Sequence, residues 1–123
     1  MARRKLLLGN WKMNHTIAES KEFCSHSADM IKLAAEKGID IGVAPSYLSL
    51  QTVKENAGNM IVAAQDCHFA DHGAYTGFVS IPMIKELEID WCLVGHSERR
   101  LYAAETSLTC NRKIKALIEN KMT

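Results

Sequence analysis

Trp91-Cys92-Leu93-Val94-Gly95-His96-Ser97-Glu98-Arg99-Arg100 is the stretch from which the fold can be read. Four apolar residues suit a buried strand. Gly95 lets the backbone turn sharply or approach a ligand closely, because it has no Cβ. An imidazole, a hydroxyl, a carboxylate and two guanidiniums follow without a gap. A histidine at the carboxyl end of a buried strand is placed for general acid or electrophile work. Ser97 and Glu98 are expected to cap a short helix whose amino end points back at His96. The partial positive charge of that end disfavours imidazolium, which predicts a neutral ring that still donates a hydrogen bond. Taken alone, the stretch reads first as an ordinary strand-to-helix turn with a salt-bridged surface.

Outward from this turn, apolar runs and helical periods alternate along the whole chain. Lys5 to Asn10 reads as a strand covered on both faces, as in a parallel sheet. Thr16 and Glu19 form a capping box for a helix running from Ile17 to about Lys37. Its apolar face carries Phe23, Cys24, Ser27, Met30, Ile31 and Ala34, and Gly38 fits just past its end. Ile39 to Ala44 is a second strand stopped by Pro45, and Ser46 to Asn56 a second helix. Met60 to Gln65 is a third strand, followed by a long loop from Asp66 to Val79, a length usually tied to function. Ser80 caps a third helix with Pro82 in its first turn, ending near Glu88. The fourth strand runs from Asp90 to Val94. A fourth helix starts at Glu105 or Thr106 and ends near Asn120, with Leu108, Ile114, Leu117 and Ile118 as its apolar side.

Strict strand–helix alternation predicts an α/β fold with a parallel sheet and right-handed crossovers. In a (β/α)8 barrel the active site lies where strands end and helices begin. Asn10, Lys12, Gln65 and His96 all fall at such ends. The totals narrow the function. The 123 residues suffice for one domain, 47% hydrophobic and 24% charged, with a net charge of +1. That balance gives no electrostatic case for nucleic acid or an anionic membrane. Arg3-Arg4-Lys5 is followed by only three leucines, too short a run for a signal peptide. Cys24, Cys67, Cys92 and Cys110 form no C-x-x-C pair, so buried reduced thiols and a cytoplasmic location are expected, with no metal site.

Three motifs carry a resemblance. Gly95 to Arg100 resembles the fourth loop of the triosephosphate isomerase family. Gly9-Asn10-Trp11-Lys12-Met13-Asn14 is similar to the first loop, and Gly73-Ala74-Tyr75-Thr76-Gly77 to the third. They occur in that family's order and spacing, and the resemblance runs from about Leu6 to the last residue. It implies a TIM (β/α)8 barrel of which residues 1–123 make four βα units: an amino-terminal half-barrel, a single incomplete domain. It implies catalytic roles for His96, Lys12 and Glu98. His96 would be the electrophile that polarises the substrate carbonyl, a neutral histidine being this family's own established device. Lys12 and Asn10 would contact a triose phosphate, with the ammonium neutralising its charge. Glu98 would be a carboxylate near the lysine. Trp11 reads as packing, and Arg99 and Glu105 as architecture.

The same resemblance implies a homodimer with Thr76, Tyr75 and Arg99 at its interface, Thr76 at the tip of a loop inserted into the neighbour. Three departures stand out. Phe78 replaces a glutamate that pairs across the interface with the counterpart of Arg99. Asp66 stands where asparagine is usual, and Ala104 where glycine is usual. No cofactor or metal is implied.

In the family a glutamate after strand six moves the proton, and a lid and glycine-rich turns hold the phosphate. Such a barrel takes ~250 residues. The 123 residues therefore predict an electrophile without its base, and an isolated chain without turnover. Open edges on the first and fourth strands are expected to make it self-associating. Leu6, Leu8, Val43, Ile61 and Val94 are expected to point inward and lack half of their packing layer. The alternative reading is a non-catalytic half-barrel that serves as an oligomerisation module or is a fragment.

Overall fold

Lys5–Asn10 forms β1 and pairs in parallel with β2, Ile39–Ala44, through six consecutive partners from Lys5–Ile39 to Asn10–Ala44. The computed structural model describes residues 2–123. Its chain divides into two compact units, Met1–Ala63 and Ala64–Thr123. The strand order is β1-β2-β3-β4, with β3 spanning Ile61–Ala64 and β4 Trp91–Cys92.

In the amino-terminal unit, α1 covers Ile17–Ser25 and α2 covers Ala28–Glu36. The capping box is present: Glu19 N–H donates to Thr16 Oγ1, and the Glu19 carboxylate accepts from Thr16 N–H. The single helix expected over Ile17 to Lys37 is broken in two. Serine hydroxyls are the reason. Ser25 Oγ donates to the Glu22 carbonyl and Ser27 Oγ to the Phe23 carbonyl. His26 and Ser27 N–H turn to tighter i−3 acceptors, Phe23 and Cys24, and such competition ends an α-helix. Ser46 to Asn56 also differs in detail. It opens as a 3₁₀ turn, Tyr47–Ser49, before α3, Leu50–Asn56.

Val43 corrects an expectation. Parallel partners share a face, so Leu7–Ile41 and Gly9–Val43 lie on one side, and Leu6 and Leu8 on the other. Val43 is buried and lines an apolar groove of about 540 Å³ beside Phe23, Met30 and Ala34. Of the rest of the expected inward set, Leu6 is exposed, and Leu8, Ile61 and Val94 are half-buried. Leu50 and Val53 of α3 form the centre of this unit's core with Met60 and Val62.

In the carboxy-terminal unit, α4 spans Ile81–Glu86, α5 Ser97–Tyr102 and α6 Ser107–Glu119. Ser80 caps α4 by accepting from Met83 N–H, with Pro82 in the first turn. Ile81, Ile84 and Ile89 are fully buried. β4 joins β3 where Leu93 N–H donates to the Ala64 carbonyl at 2.8 Å. Thr123 lies on β4: its N–H donates to Asp90 O, and its carbonyl accepts from Cys92 N–H, the pattern of a parallel bridge. The expected apolar side of α6 is corrected. Leu117 is buried, but Leu108, Ile114 and Ile118 are exposed, and the inward face carries Cys110 and Lys113. A lysine is tolerated there because two carboxylates meet it, as described below.

Candidate active site

Asn10 ends β1, and its side-chain Oδ1 accepts the backbone N–H of Lys12 at 2.9 Å. That bond accompanies an unusual conformation, since Lys12 has φ of 56° in the left-handed region. A lysine pays of order 1–2 kcal/mol there. Such strain gathers at functional positions. Trp11 is buried between His15 and Phe23, at ring separations of 4.7 and 5.0 Å, which suits its expected packing role. Thus Asn10 and Lys12 form one constellation in the amino-terminal unit.

His96 and Glu98 form another, in the carboxy-terminal unit. Gly95 earns its place twice. Its φ is 70°, and a Cβ there would lie 2.8 Å from Cys110 Sγ. His96 itself, rather than Ser97 or Glu98, caps α5: Nδ1 accepts from Glu98 N–H at 3.1 Å. The imidazole wins because an acceptor at the N-cap position reaches the second helical amide, while Ser97 is already inside the helix. The Glu98 carboxylate stands 3.6 Å from the same nitrogen. The shorter amide contact decides the arrangement: a nitrogen accepting an N–H keeps its lone pair, and the ring proton sits on Nε2. Nε2–H is then the donor this side chain offers.

Arg99 lies with its Nε 3.0 Å from Asp66 Oδ2 and 3.9 Å from Glu105 Oε2, as ion-pair contacts without hydrogen-bond alignment at Nε. Behind it, Lys113 Nζ donates to both Asp66 oxygens, at 3.0 and 3.2 Å, and to Glu105 Oε2 at 2.6 Å. Thr109 Oγ1 donates to Glu105 Oε1. The Lys113, Asp66 and Glu105 side chains are only 4%, 8% and 2% exposed. Burial pushes the Glu105 carboxyl up, but the bonds from Lys113 and Thr109 outweigh it and hold the pKa below its ordinary value. Burial likewise works against Lys113's charge, yet its two carboxylates leave its pKa raised. Asp66 and Lys113 are not legible as a pair in the sequence, where they are 47 residues apart. An aspartate just past a strand is the only signal in the sequence, since the inward face of α6 is decided by the structure.

The expected interface residues lie in or near the 66–79 loop, apart from Arg99. His68 N–H and the Val79 carbonyl close that loop at 2.8 Å. Thr76 is exposed near its tip. Tyr75 packs on the His68 ring at 4.2 Å, and half-exposed Phe78 packs on the same ring at 4.6 Å. Burial, aided by the charge on Lys113, lowers the His68 pKa. Ala104 adopts φ of 55°, so the backbone keeps a left-handed turn that suits glycine better. Among the described residues, no helix is long and apolar enough to cross a membrane.

Parallel strands in the order β1-β2-β3-β4, alternating with helices, define an α/β protein, the class to which (β/α)8 barrels belong. Comparison with known proteins gives the family. A family model described as triosephosphate isomerase matches residues 5–123. A triosephosphate isomerase of Chlorobium phaeovibrioides is 41% identical over 119 residues, covering 94% of this chain and 47% of that protein. One of Mycoplasma capricolum is 41% identical over 120 residues, covering 98% and 47%. The crystal structure of triosephosphate isomerase from Bartonella henselae superposes with a TM-score of 0.83 at 29% identity, covering 98% of this chain and 50% of that one. The chain belongs to the triosephosphate isomerase family, and it contains four of the barrel's strand–helix units. It spans about half the length of the curated relatives it matches.

Proposed function

We propose that this chain supplies one wall of an isomerase site that interconverts dihydroxyacetone phosphate and D-glyceraldehyde 3-phosphate by 1,2-proton transfer. The observation that carries the reading is the capping bond of His96. With Nδ1 accepting from Glu98 N–H, Nε2–H remains to polarise the substrate carbonyl as charge develops on its oxygen. Lys12, held by Asn10, supplies a compact cation for the oxyanion or the phosphate. Glu98 is the carboxylate of this wall. A base that removes the carbon-bound proton must come from residues outside these 123, so the isolated polypeptide has no turnover. The site works in a cytoplasmic homodimer, with Tyr75, Thr76 and the outward side of Arg99 at the interface.

The test joins these residues to the carboxy-terminal half of the Chlorobium relative and follows proton exchange into the substrate. The chimera turns over, and His96→Gln lowers its kcat by ~10²–10⁴. An undiminished rate in that variant removes His96 from the reaction. Robust isomerisation by the 123 residues alone removes the requirement for an outside base.

A second reading rests on exposed apolar side chains: Leu7 on β1, Leu101 and Tyr102 on α5, and Ile118 on α6. Apolar exposure of this kind marks association surfaces, so the chain acts without catalysis as an oligomerisation module. Light scattering tests this reading, since a monodisperse monomer at high concentration contradicts it.

A further inference from the structure

We infer that Asp66 and Lys113 are positioning residues for His96, acting through Arg99. The inference rests on the reading of His96 as the group that faces substrate, and it starts from how little holds that group in place. The helix capped by His96, α5, has six residues. A helix of that length has no stability of its own and depends on tertiary anchors. Its cap is an imidazole, outside the hydroxyl, carboxylate and amide side chains that normally close a first turn.

Arg99 is one anchor. Its N–H donates to the His96 carbonyl at 2.9 Å, so the guanidinium and the imidazole belong to the same helical turn. The Arg99 carbonyl also accepts from Ala103 and Glu105 N–H, which ties the end of α5 to the approach to α6. The guanidinium is drawn to Asp66 at 3.0 Å. Asp66 in turn has little freedom, because both of its oxygens accept from the buried Lys113 ammonium. Lys113 is fixed by Glu105, and Glu105 by Thr109. A continuous series of ion pairs and hydrogen bonds therefore runs from the inner face of α6, through the residue two past β3, to the first turn of α5. Arg100 adds a second anchor, donating from Nε to the Gly95 carbonyl at 3.3 Å.

Removing Asp66 leaves Arg99 with Glu105 alone, at 3.9 Å. The first turn of α5 then loosens, Glu98 N–H leaves Nδ1, and the ring loses its single orientation. Nδ1 becomes free to take the proton, so two tautomers mix where one was fixed. The carboxylate at position 66 thereby acts on the histidine without touching it or the substrate.

The test uses the 123-residue chain and long-range proton–nitrogen correlation of the imidazoles, with His96→Gln assigning the signal. In the parent chain the two His96 nitrogens differ as an acceptor Nδ1 and a protonated Nε2. Asp66→Ala draws the two shifts together and speeds exchange of the Glu98 amide by roughly tenfold, and Asp66→Glu restores both in part. Arg99→Gln is the companion variant. It leaves Lys113 bound to both carboxylates, keeps the buried network intact, and is expected to give the same spectral change. Unchanged His96 shifts and unchanged Glu98 protection in folded Asp66→Ala or folded Arg99→Gln overturn the inference. The readout is a tautomer and requires no turnover, so the catalytic role of His96 stands or falls separately in the chimera.

Discussion

The two units of this chain bury different chemistry. The amino-terminal unit is closed by apolar packing: Leu50, Val53, Met60 and Val62 are almost fully buried. The carboxy-terminal unit has an isoleucine cluster of its own but also encloses Lys113, Asp66 and Glu105. Apolar burial is non-directional, so it secures α3 without fixing any one atom. Buried charges are costly unless aligned, and their alignment fixes atoms. The unit in which His96 caps its own helix is the one that contains the directional network. The other presents an exposed lysine whose backbone N–H donates to Asn10 Oδ1 in the same loop.

The comparison breaks most readily at Lys113. Lys113→Met leaves two buried carboxylates facing each other and is expected to cost about 3–5 kcal/mol. Urea unfolding gives the total, and loss of amide protection should centre on residues 64–123. Leu50→Ala is expected to cost about 3 kcal/mol through an unfilled cavity, with protection lost first in residues 2–63. Equal loss in both regions from either variant would erase the distinction. Ala104→Gly works in the opposite direction. It relieves a left-handed alanine and should raise stability by about 1 kcal/mol, read as a higher urea midpoint.

The smallest effect is a pH dependence. His68 has a lowered pKa in the folded chain, so below its ordinary value near ~6.5 the unfolded chain binds more protons than the folded one. Stability is full above that pH and falls as pH drops toward the folded value. His68→Phe should remove this component. The depressed Glu105 carboxyl adds a later loss, below the ordinary carboxylate range, as pH falls through its folded value. An acid profile unchanged by His68→Phe would show that the aromatic cluster does not disfavour the charged ring.

Much of the fold was legible in advance because its signals are local. Thr16 with Glu19, Ser80 with Pro82, and Gly38 at φ of 64° mark helix ends through bonds spanning a few residues. The glycine before His96 is likewise explained by its own φ and by the thiol against it. The break at His26 and Ser27 is not legible in the sequence, because a serine in a helix can point outward or bond backward and the helical period does not say which. The side on which Val43 lies is not legible in the sequence, because it depends on the register between two strands.

Sequence alone determined the alternation of strands and helices, the family motifs and the position of an imidazole at a strand's end, since each depends on residues close in the chain. Tertiary structure decided that the inner face of α6 carries the Lys113 ammonium. It also decided that Asp66 meets Lys113 across 47 positions. These depend on which side chains are brought within about 3 Å of each other, and directional bonds between distant residues exist only once the chain has folded.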